Sequence, residues 1–289
     1  MTAFDMGPAI LFCPANRPDR YAKAMDSADA IILDLEDAVA PLERQSARQS
    51  LIDNPVDPNR TIVRVNPVDT GDFELDLRAL RQTGYRYIML AKTETADSLV
   101  KLAGYSVIAL CETAKGILNA PSIAEEGNVV ALMWGAEDLV ASLGGVTSRM
   151  ANGQYRDIAL HARSQVLLAA GSAGKPALDS VYTNFADLAG LKTESDDAQA
   201  SGFAAKVSIH PAQMPIIRSS FLPTQSEVMQ ARRILAAAEK TGGVFAFEGR
   251  MVDEPILRHV RKVLARAERS GTRPEADSNV STAEALSGR

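Results

Sequence analysis

Eight short apolar runs punctuate this chain, at residues 10–13, 30–35, 61–65, 87–90, 107–110, 129–134, 177–181 and 206–209. Each is followed by a polar or Gly/Pro-bearing stretch and then by residues with helical spacing. The runs are continuously apolar, without the alternation of a half-exposed strand, which is the pattern of parallel strands covered on both faces. Between them, Tyr21, Ala24, Met25 and Ala28 follow i, i+3, i+4, i+7, with Pro18 placed to open the helix, and Leu77 and Leu80 repeat the pattern before Gly84 as a stop. Eight strand–helix alternations predict a closed α/β barrel. An open doubly wound sheet alternates in the same way, and periodicity cannot separate the two.

The position of the charged residues favours the barrel. Residues that follow the runs, where strand ends face the mouth of a barrel, are Asp34, Glu36 and Asp37 after the second, Arg64 and Asn66 in and after the third, Lys92 and Glu94 after the fourth, Glu112 after the fifth, and Glu137 and Asp138 after the sixth. Such a row makes a polar pocket floored by an apolar barrel. Acids with no His or Cys among them suit a hard cation with oxygen ligands, Mg²⁺ or Mn²⁺, held by Glu112 and Asp138. Taken singly, each acid also serves as a favourable charge at the start of the next helix. Arg64 lies inside an apolar strand, where a charge needs a partner. It reads as a clamp on a substrate carboxylate or thioester oxygen, as half of an ion pair with a neighbouring strand, or as both at once.

The chain has 289 residues, 46% of them hydrophobic and 23% charged, with a net charge of −5. That balance excludes a global basic field for nucleic acid or acidic membranes, so an anionic ligand must meet a local cluster. Arg17, Arg20 and Lys23, after Pro14 at the end of the first run, form one at a helix N-terminus; a phosphate-bearing ligand suits them, as does a plain solvated helix face. Cys13 and Cys111 lie in apolar runs and read as buried thiols of a reducing compartment. No run approaches the roughly 20 residues of a membrane span, and no signal peptide is evident, so a cytoplasmic location is expected. His161 and His259 fall in helical patterns, while His210 follows the eighth run and is given at most a supporting role.

Beyond the runs, residues 227–240 predict a helix with Ala231, Ile234, Leu235 and Ala238 on one face, and the Gly-rich but apolar residues 242–255 are expected to dock. A last helix is expected from residue 256 to 269, then a polar, aperiodic tail. The expected organisation is a catalytic barrel over residues 1–225, C-terminal helices and a flap over 226–270, and a disordered tail over 271–289.

The blocks LFCPANRPDRYAKA, AIILDLEDAVAP, RTIVRVNP, ALCETAKGI, MWGAEDL, SIHPAQ and FEGRMVD, in this order, resemble the citrate lyase β-subunit-like members of the HpcH/HpaI aldolase and citrate lyase family. The resemblance implies a (β/α)₈ TIM barrel with a C-terminal flap, and Mg²⁺ on Glu112 and Asp138. It further implies that Arg64 and Glu112 contact substrate, that Asp37 holds metal-bound water, and that Pro14, Arg17, Arg20 and Lys23 meet coenzyme A. It implies a homotrimer in which Asp253, on the flap, is the acid/base of a neighbouring subunit's site. The implied reaction is cleavage of a 3-hydroxyacyl-CoA, such as citramalyl-CoA or malyl-CoA, to acetyl-CoA and a 2-keto acid. Malate synthase-like condensation and hydrolysis, pyruvate aldol chemistry without CoA, cleavage of a carrier-protein thioester and a silent scaffold are the alternatives. Two departures, Ala91 where relatives often carry Pro and the absence of a glycine just before Lys206, alter loop shape without removing a site residue.

Overall fold

The computed structural model describes residue 4 and residues 6–269, so the tail expected over 271–289 lies outside the described residues. The chain divides into two units, Met1–Phe221 and Leu222–Arg289.

The first unit is a closed barrel of β1 (Ala9–Pro14), β2 (Ala30–Asp34), β3 (Thr61–Val65), β4 (Tyr87–Leu90), β5 (Ser106–Cys111), β6 (Val129–Trp134), β7 (Ala177–Asp179) and β8 (Ala205–Ser208). Every neighbouring pair is parallel. Closure comes from β8 against β1, with Ile10 opposite Val207 and Leu11 opposite Ser208, and this rules out the open sheet.

Closure also explains why the runs do not alternate. One set of strand residues, including Ile10, Ile32, Ile62, Met89, Ile108, Met133 and Val207, packs inside the barrel. The interleaved set, including Leu11, Ile31, Leu33, Val63, Ile88, Leu90 and Leu132, packs outward with helix residues such as Leu51, Phe73, Ile117 and Val166. Both strand faces are therefore removed from water, and an apolar side chain at every position stabilises the sheet. After β1, a 3₁₀ turn at Pro18–Arg20 leads into the helix Tyr21–Ser27, which buries Tyr21 and Ala24. The helix Gly71–Leu80 buries Phe73, Leu77 and Leu80 and ends earlier than Gly84 suggested. Its last turn closes when the Arg81 N–H donates to Leu77 O at 3.1 Å, which leaves Gly84 in the turn beyond.

The second unit comprises the helix Gln225–Thr241, a hairpin of β9 (Phe245–Phe247) and β10 (Arg250–Val252), and the helix Glu254–Arg269. Thr224 and Glu227 form a reciprocal capping box at the start of the first helix, a feature worth about 1 kcal/mol. The hairpin turns on Glu248 (φ 49°) and Gly249 (φ 76°), two left-handed residues whose twist matches that of antiparallel strands. Phe245 and Val252 bury against Ala231, Ile234, Leu257, Val260 and Val263, so the Gly-rich segment does dock on its own unit.

Candidate active site

The site is built at the C-terminal ends of β2 to β6. Register places Arg64 of β3 beside Asp34 of β2. The two make a bidentate pair, Nε to Oδ1 at 2.7 Å and Nη2 to Oδ2 at 2.6 Å. Asp34 is fully buried and also accepts the backbone N–H groups of Glu36 and Ala38, both at 3.0 Å, which folds the acidic loop back over the strand end. The remaining Arg64 nitrogen lies 3.3 Å from Glu36, and the guanidinium sits 4.6 Å from the centroid of the Phe12 ring. Burial works against the Arg64 charge, but the charges of Asp34, Glu36 and Glu112 and the Asp34 hydrogen bonds outweigh it and hold the group firmly protonated. Of the two readings of Arg64, the ion pair is realised, and it fixes the guanidinium at the mouth.

Glu112 follows β5 and is buried. One of its oxygens accepts the backbone N–H of Lys92 at 3.0 Å. Burial, and then the charge of Asp138, push its pKa up to about 8 despite the opposing charges of Arg64 and Lys92. Gly135 makes room for this carboxylate, since a Cβ there would stand 2.7 Å from Glu112 Oε2. Asp138, half-buried, lies in the first turn of the helix Ala136–Ser142. Gly116 plays a similar spatial role in the first turn of the helix Ala114–Glu125, because a Cβ would fall 2.4 Å from the Thr93 carbonyl oxygen. Thr113 caps that helix by accepting the Gly116 N–H at 3.1 Å and donates to Glu94 at 3.0 Å. Glu94 therefore supports the cap of the helix that follows β5, one strand further on, and not the start of the helix that follows its own strand.

Lys92 joins the acids of β2 to those of β6. Its ammonium pairs with Glu36, lies 3.0 Å from Asp37 Oδ2, and stands 3.7 Å from Asp138 Oδ1. For Glu36, burial raises the pKa and prevails over Arg64 and Lys92. For exposed Asp37, burial also acts upward, but the Lys92 hydrogen bond and charge prevail and lower it. The structure thus assembles Arg64, Glu112, Asp138 and Asp37 into one charged cluster, with Lys92 at its centre.

The basic loop is less convergent. Arg17 is spent on Asp19, at 2.8 and 2.9 Å, while Arg20 and Lys23 are exposed, and Pro14 ends β1. Asp253 belongs to the second unit, between β10 and the last helix, where its carboxylate accepts the Ile256 N–H at 3.3 Å. His210 is exposed, stacks on Phe185 at 5.4 Å and accepts the Ala212 N–H through Nδ1, a local cap. Both cysteines are buried, and burial raises the pKa of Cys13 to about 11 and of Cys111 to about 12, so neither is a ready nucleophile.

A second ionic network, unforeseen in the sequence, braces the far wall. The fully buried Lys206 ammonium donates to Asp179 Oδ2 (2.8 Å), Ser180 O (2.7 Å) and Glu194 Oε1 (2.8 Å). Asp179 also accepts from Trp134 Nε1 at 2.8 Å and Arg163 Nε at 2.9 Å. Trp134 ends β6, separated by Gly135 from the helix Ala136–Ser142, so the network anchors the strand that leads into the helix carrying Asp138. The signal was present: a Lys and an Asp inside apolar runs both require partners.

Among the described residues, no three His, Cys, Asp or Glu side chains form a ready metal cage. Mg²⁺ does not require one, because one or two carboxylates with water and substrate oxygens complete its octahedron. The donor set of Glu112 and Asp138 fits that mode: an oxygen-only pair in which burial, and then the charge of Asp138, lift Glu112 to about 8.

A closed α/β barrel with charged side chains gathered at its C-terminal mouth has the layout of a barrel enzyme. The sequence profile of the HpcH/HpaI aldolase/citrate lyase family matches residues 9–211, and the chain belongs to that family of carbon–carbon lyases acting on CoA thioesters. The chain is similar to a citrate lyase subunit beta-like protein of Mycobacterium tuberculosis (strain H37Rv), 50% identical over 261 residues that cover 90% of this chain and 96% of the relative. It is also similar to the human mitochondrial citramalyl-CoA lyase, 31% identical over 293 residues, covering 90% and 85% of the two chains. Among solved structures, protein CitE from M. tuberculosis in complex with magnesium, acetoacetate and coenzyme A matches with a TM-score of 0.87 and 50% identity, over 91% of this chain and 98% of that one.

Proposed function

We propose that this chain is a Mg²⁺-dependent acyl-CoA lyase that cleaves a 3-hydroxyacyl-CoA such as citramalyl-CoA or malyl-CoA to acetyl-CoA and a 2-keto acid. The observation that carries the proposal is the meeting of Glu112 and Asp138, two mutually repelling carboxylates, beside the guanidinium of Arg64. Glu112 and Asp138 would hold the ion, which when bound supplies Lewis-acid stabilisation of negative charge on substrate oxygen.

The remaining work falls to the chain itself. Arg64, locked by Asp34, presents a fixed positive charge to an oxygen that becomes more negative as the C–C bond breaks. Such preorganisation is effective because no reorientation is needed at the moment of reaction. Asp37 accepts a hydrogen bond from Lys92 and has a lowered pKa, so it stays ionised and suits the orientation of a bound water. Asp253, contributed by the flap of a neighbouring subunit in a homotrimer, would return a proton to the acetyl-CoA enolate. Arg17, Arg20 and Lys23, with Pro14 at their base, would meet the phosphates of coenzyme A, which is why a CoA thioester is preferred over a free acid. A cytoplasmic location goes with this reading; among the described residues, no helix is long and apolar enough to cross a membrane.

The test is to incubate the purified protein and Mg²⁺ with citramalyl-CoA, malyl-CoA and 3-hydroxy-3-methylglutaryl-CoA, with EDTA controls, and follow acetyl-CoA by mass spectrometry. Metal-dependent release from one thioester supports the proposal and names the acyl chain. Silence on all three, with no binding of coenzyme A, would favour a carrier-protein thioester or a scaffold.

A further inference from the structure

We infer that Lys92 is a tethered counter-cation, competing with the divalent ion for the carboxylates of the barrel mouth and so setting the affinity of the site for metal. The inference rests on the metal-binding reading of Glu112 and Asp138 given above.

Three observations carry it. The first is backbone conformation. Lys92 adopts φ 48°, and among the described residues only Glu248, in the hairpin turn, is another non-glycine residue with positive φ. A long side chain in that region is disfavoured and persists where its surroundings impose it. Here the Lys92 N–H is fixed on Glu112 at 3.0 Å, and the N–H of the next residue, Thr93, is fixed on Leu110 O at 2.9 Å.

The second is the address of the ammonium. It pairs with Glu36 and lies 3.0 Å from Asp37 and 3.7 Å from Asp138, so it bridges the β2 loop to the β6 loop that carries a metal-ligand candidate. Its backbone meanwhile holds the other candidate, Glu112. One residue therefore touches both carboxylates of the proposed pair, through two different groups.

The third is the charge balance. Asp34, Glu36, Asp37, Glu112 and Asp138 face Arg64 and Lys92. Arg64 is immobilised by its bidentate pair with Asp34. Lys92 carries its charge on a flexible four-carbon stem with a side chain 30% exposed, so it can withdraw. A divalent ion and an ammonium drawn to the same Asp138 oxygen, at separations of a few ångströms in a half-buried site, repel each other. Metal entry then requires Lys92 to leave Asp138, and the metal-free mouth is kept from flying apart by the same side chain.

The experiment is calorimetric titration of Mg²⁺, and of Mn²⁺ as a second probe, into wild type, Lys92→Gly, Lys92→Asn and Lys92→Arg at one pH and ionic strength. Gly and Asn accept positive φ and keep the backbone N–H for Glu112, so they remove the ammonium and leave that contact in place. The expected result is metal affinity at least tenfold tighter in Lys92→Gly and Lys92→Asn, and near wild type in Lys92→Arg. Melting temperatures should show the neutral variants weakened without metal and restored towards wild type at saturating Mg²⁺. Unchanged or weaker metal binding in both neutral variants overturns the inference while leaving the metal site standing. Metal binding by none of the four proteins overturns the metal reading and the inference together. Should the neutral variants fail to fold, reductive methylation of Lys92 in the wild type, read by peptide mass spectrometry, decides: faster labelling with Mg²⁺ supports displacement, and equal labelling refutes it.

Discussion

Replacing Asp34 by Asn should unseat Arg64 and cost the barrel a measurable part of its stability. Asp34 accepts four hydrogen bonds, two from Arg64 at 2.7 and 2.6 Å and two from backbone N–H groups at 3.0 Å. An asparagine presents one acceptor oxygen, and its NH₂ must face donors, so at least two of the four bonds are lost and the guanidinium is left without its ionic partner. Breaking a buried pair on one side typically costs about 3–5 kcal/mol. Glu36, 3.3 Å from Arg64, remains as partial compensation and places the expectation near the lower figure, about 3 kcal/mol. For a domain of this size that is a fall in Tm of roughly 6–12 °C. The assay is urea and thermal denaturation of Asp34→Asn, Arg64→Met and the double variant. The double variant should be less destabilised than the sum of the singles by about 1–3 kcal/mol, the signature of a direct pair. A single-variant loss below about 1 kcal/mol, or strict additivity, would refute the claim that Asp34 is what fixes the arginine.

Other expectations follow from the same geometry. Gly135→Ala should abolish calorimetric Mg²⁺ binding while leaving the circular dichroism spectrum intact, because the new methyl would fall 2.7 Å from Glu112 Oε2; unaltered binding would show that Glu112 does not need that space. Gly116→Ala should lower stability by about 1–2 kcal/mol in urea, since crowding a fixed carbonyl outweighs the roughly 1 kcal/mol gain in helix propensity; a net gain would contradict the close approach to Thr93. Lys206→Met should cost about 3–5 kcal/mol by leaving Asp179 and Glu194 short of a cation, read by the same denaturation, and a neutral effect would deny the network its bracing role. The pH dependence rests on Glu112, whose pKa in the metal-free fold lies above its unfolded value, at about 8. The folded chain therefore keeps a proton that the unfolded chain has lost, and this contribution to stability drains away as pH rises from the ordinary glutamate range through about 8. Bound Mg²⁺ displaces that proton, so the rise in Tm on adding Mg²⁺ should be larger at pH 8.5 than at pH 6, and equal increments would speak against it.

The barrel was legible because its physics is repetitive. Strands buried on both faces must be apolar throughout, so β3, β4 and β6 begin and end where their apolar runs do. The seventh strand is shorter than its apolar run: the Ser180 carbonyl is taken by Lys206, and the strand stops at Asp179. What periodicity could not reveal was closure, which is one strand pairing in space, β1 with β8 from Ala9–Lys206 to Leu11–Ser208, across the whole unit. The acids at the mouth were legible from their offsets after each run, but not their division of labour. Asp34 and Glu112 look alike in sequence, yet one is spent on Arg64 and the other is left facing Asp138. Lys92 appeared only as one charge in a row, since a left-handed backbone leaves no trace in a lysine codon. Asp253 lay beyond any argument from strand ends, because it sits after a hairpin of the second unit, and only the FEGRMVD resemblance singled it out.

The central claim is that Glu112 and Asp138 hold the cation on which carbon–carbon cleavage depends. It is tested most directly by comparing wild type and Asp138→Ala on the thioester that wild type cleaves, with Mg²⁺ and with EDTA, together with Mg²⁺ calorimetry on both. The expected outcome is metal-dependent acetyl-CoA release by wild type, with both Mg²⁺ binding and turnover lost in Asp138→Ala while the variant still binds coenzyme A. Full activity of Asp138→Ala in EDTA would contradict the account.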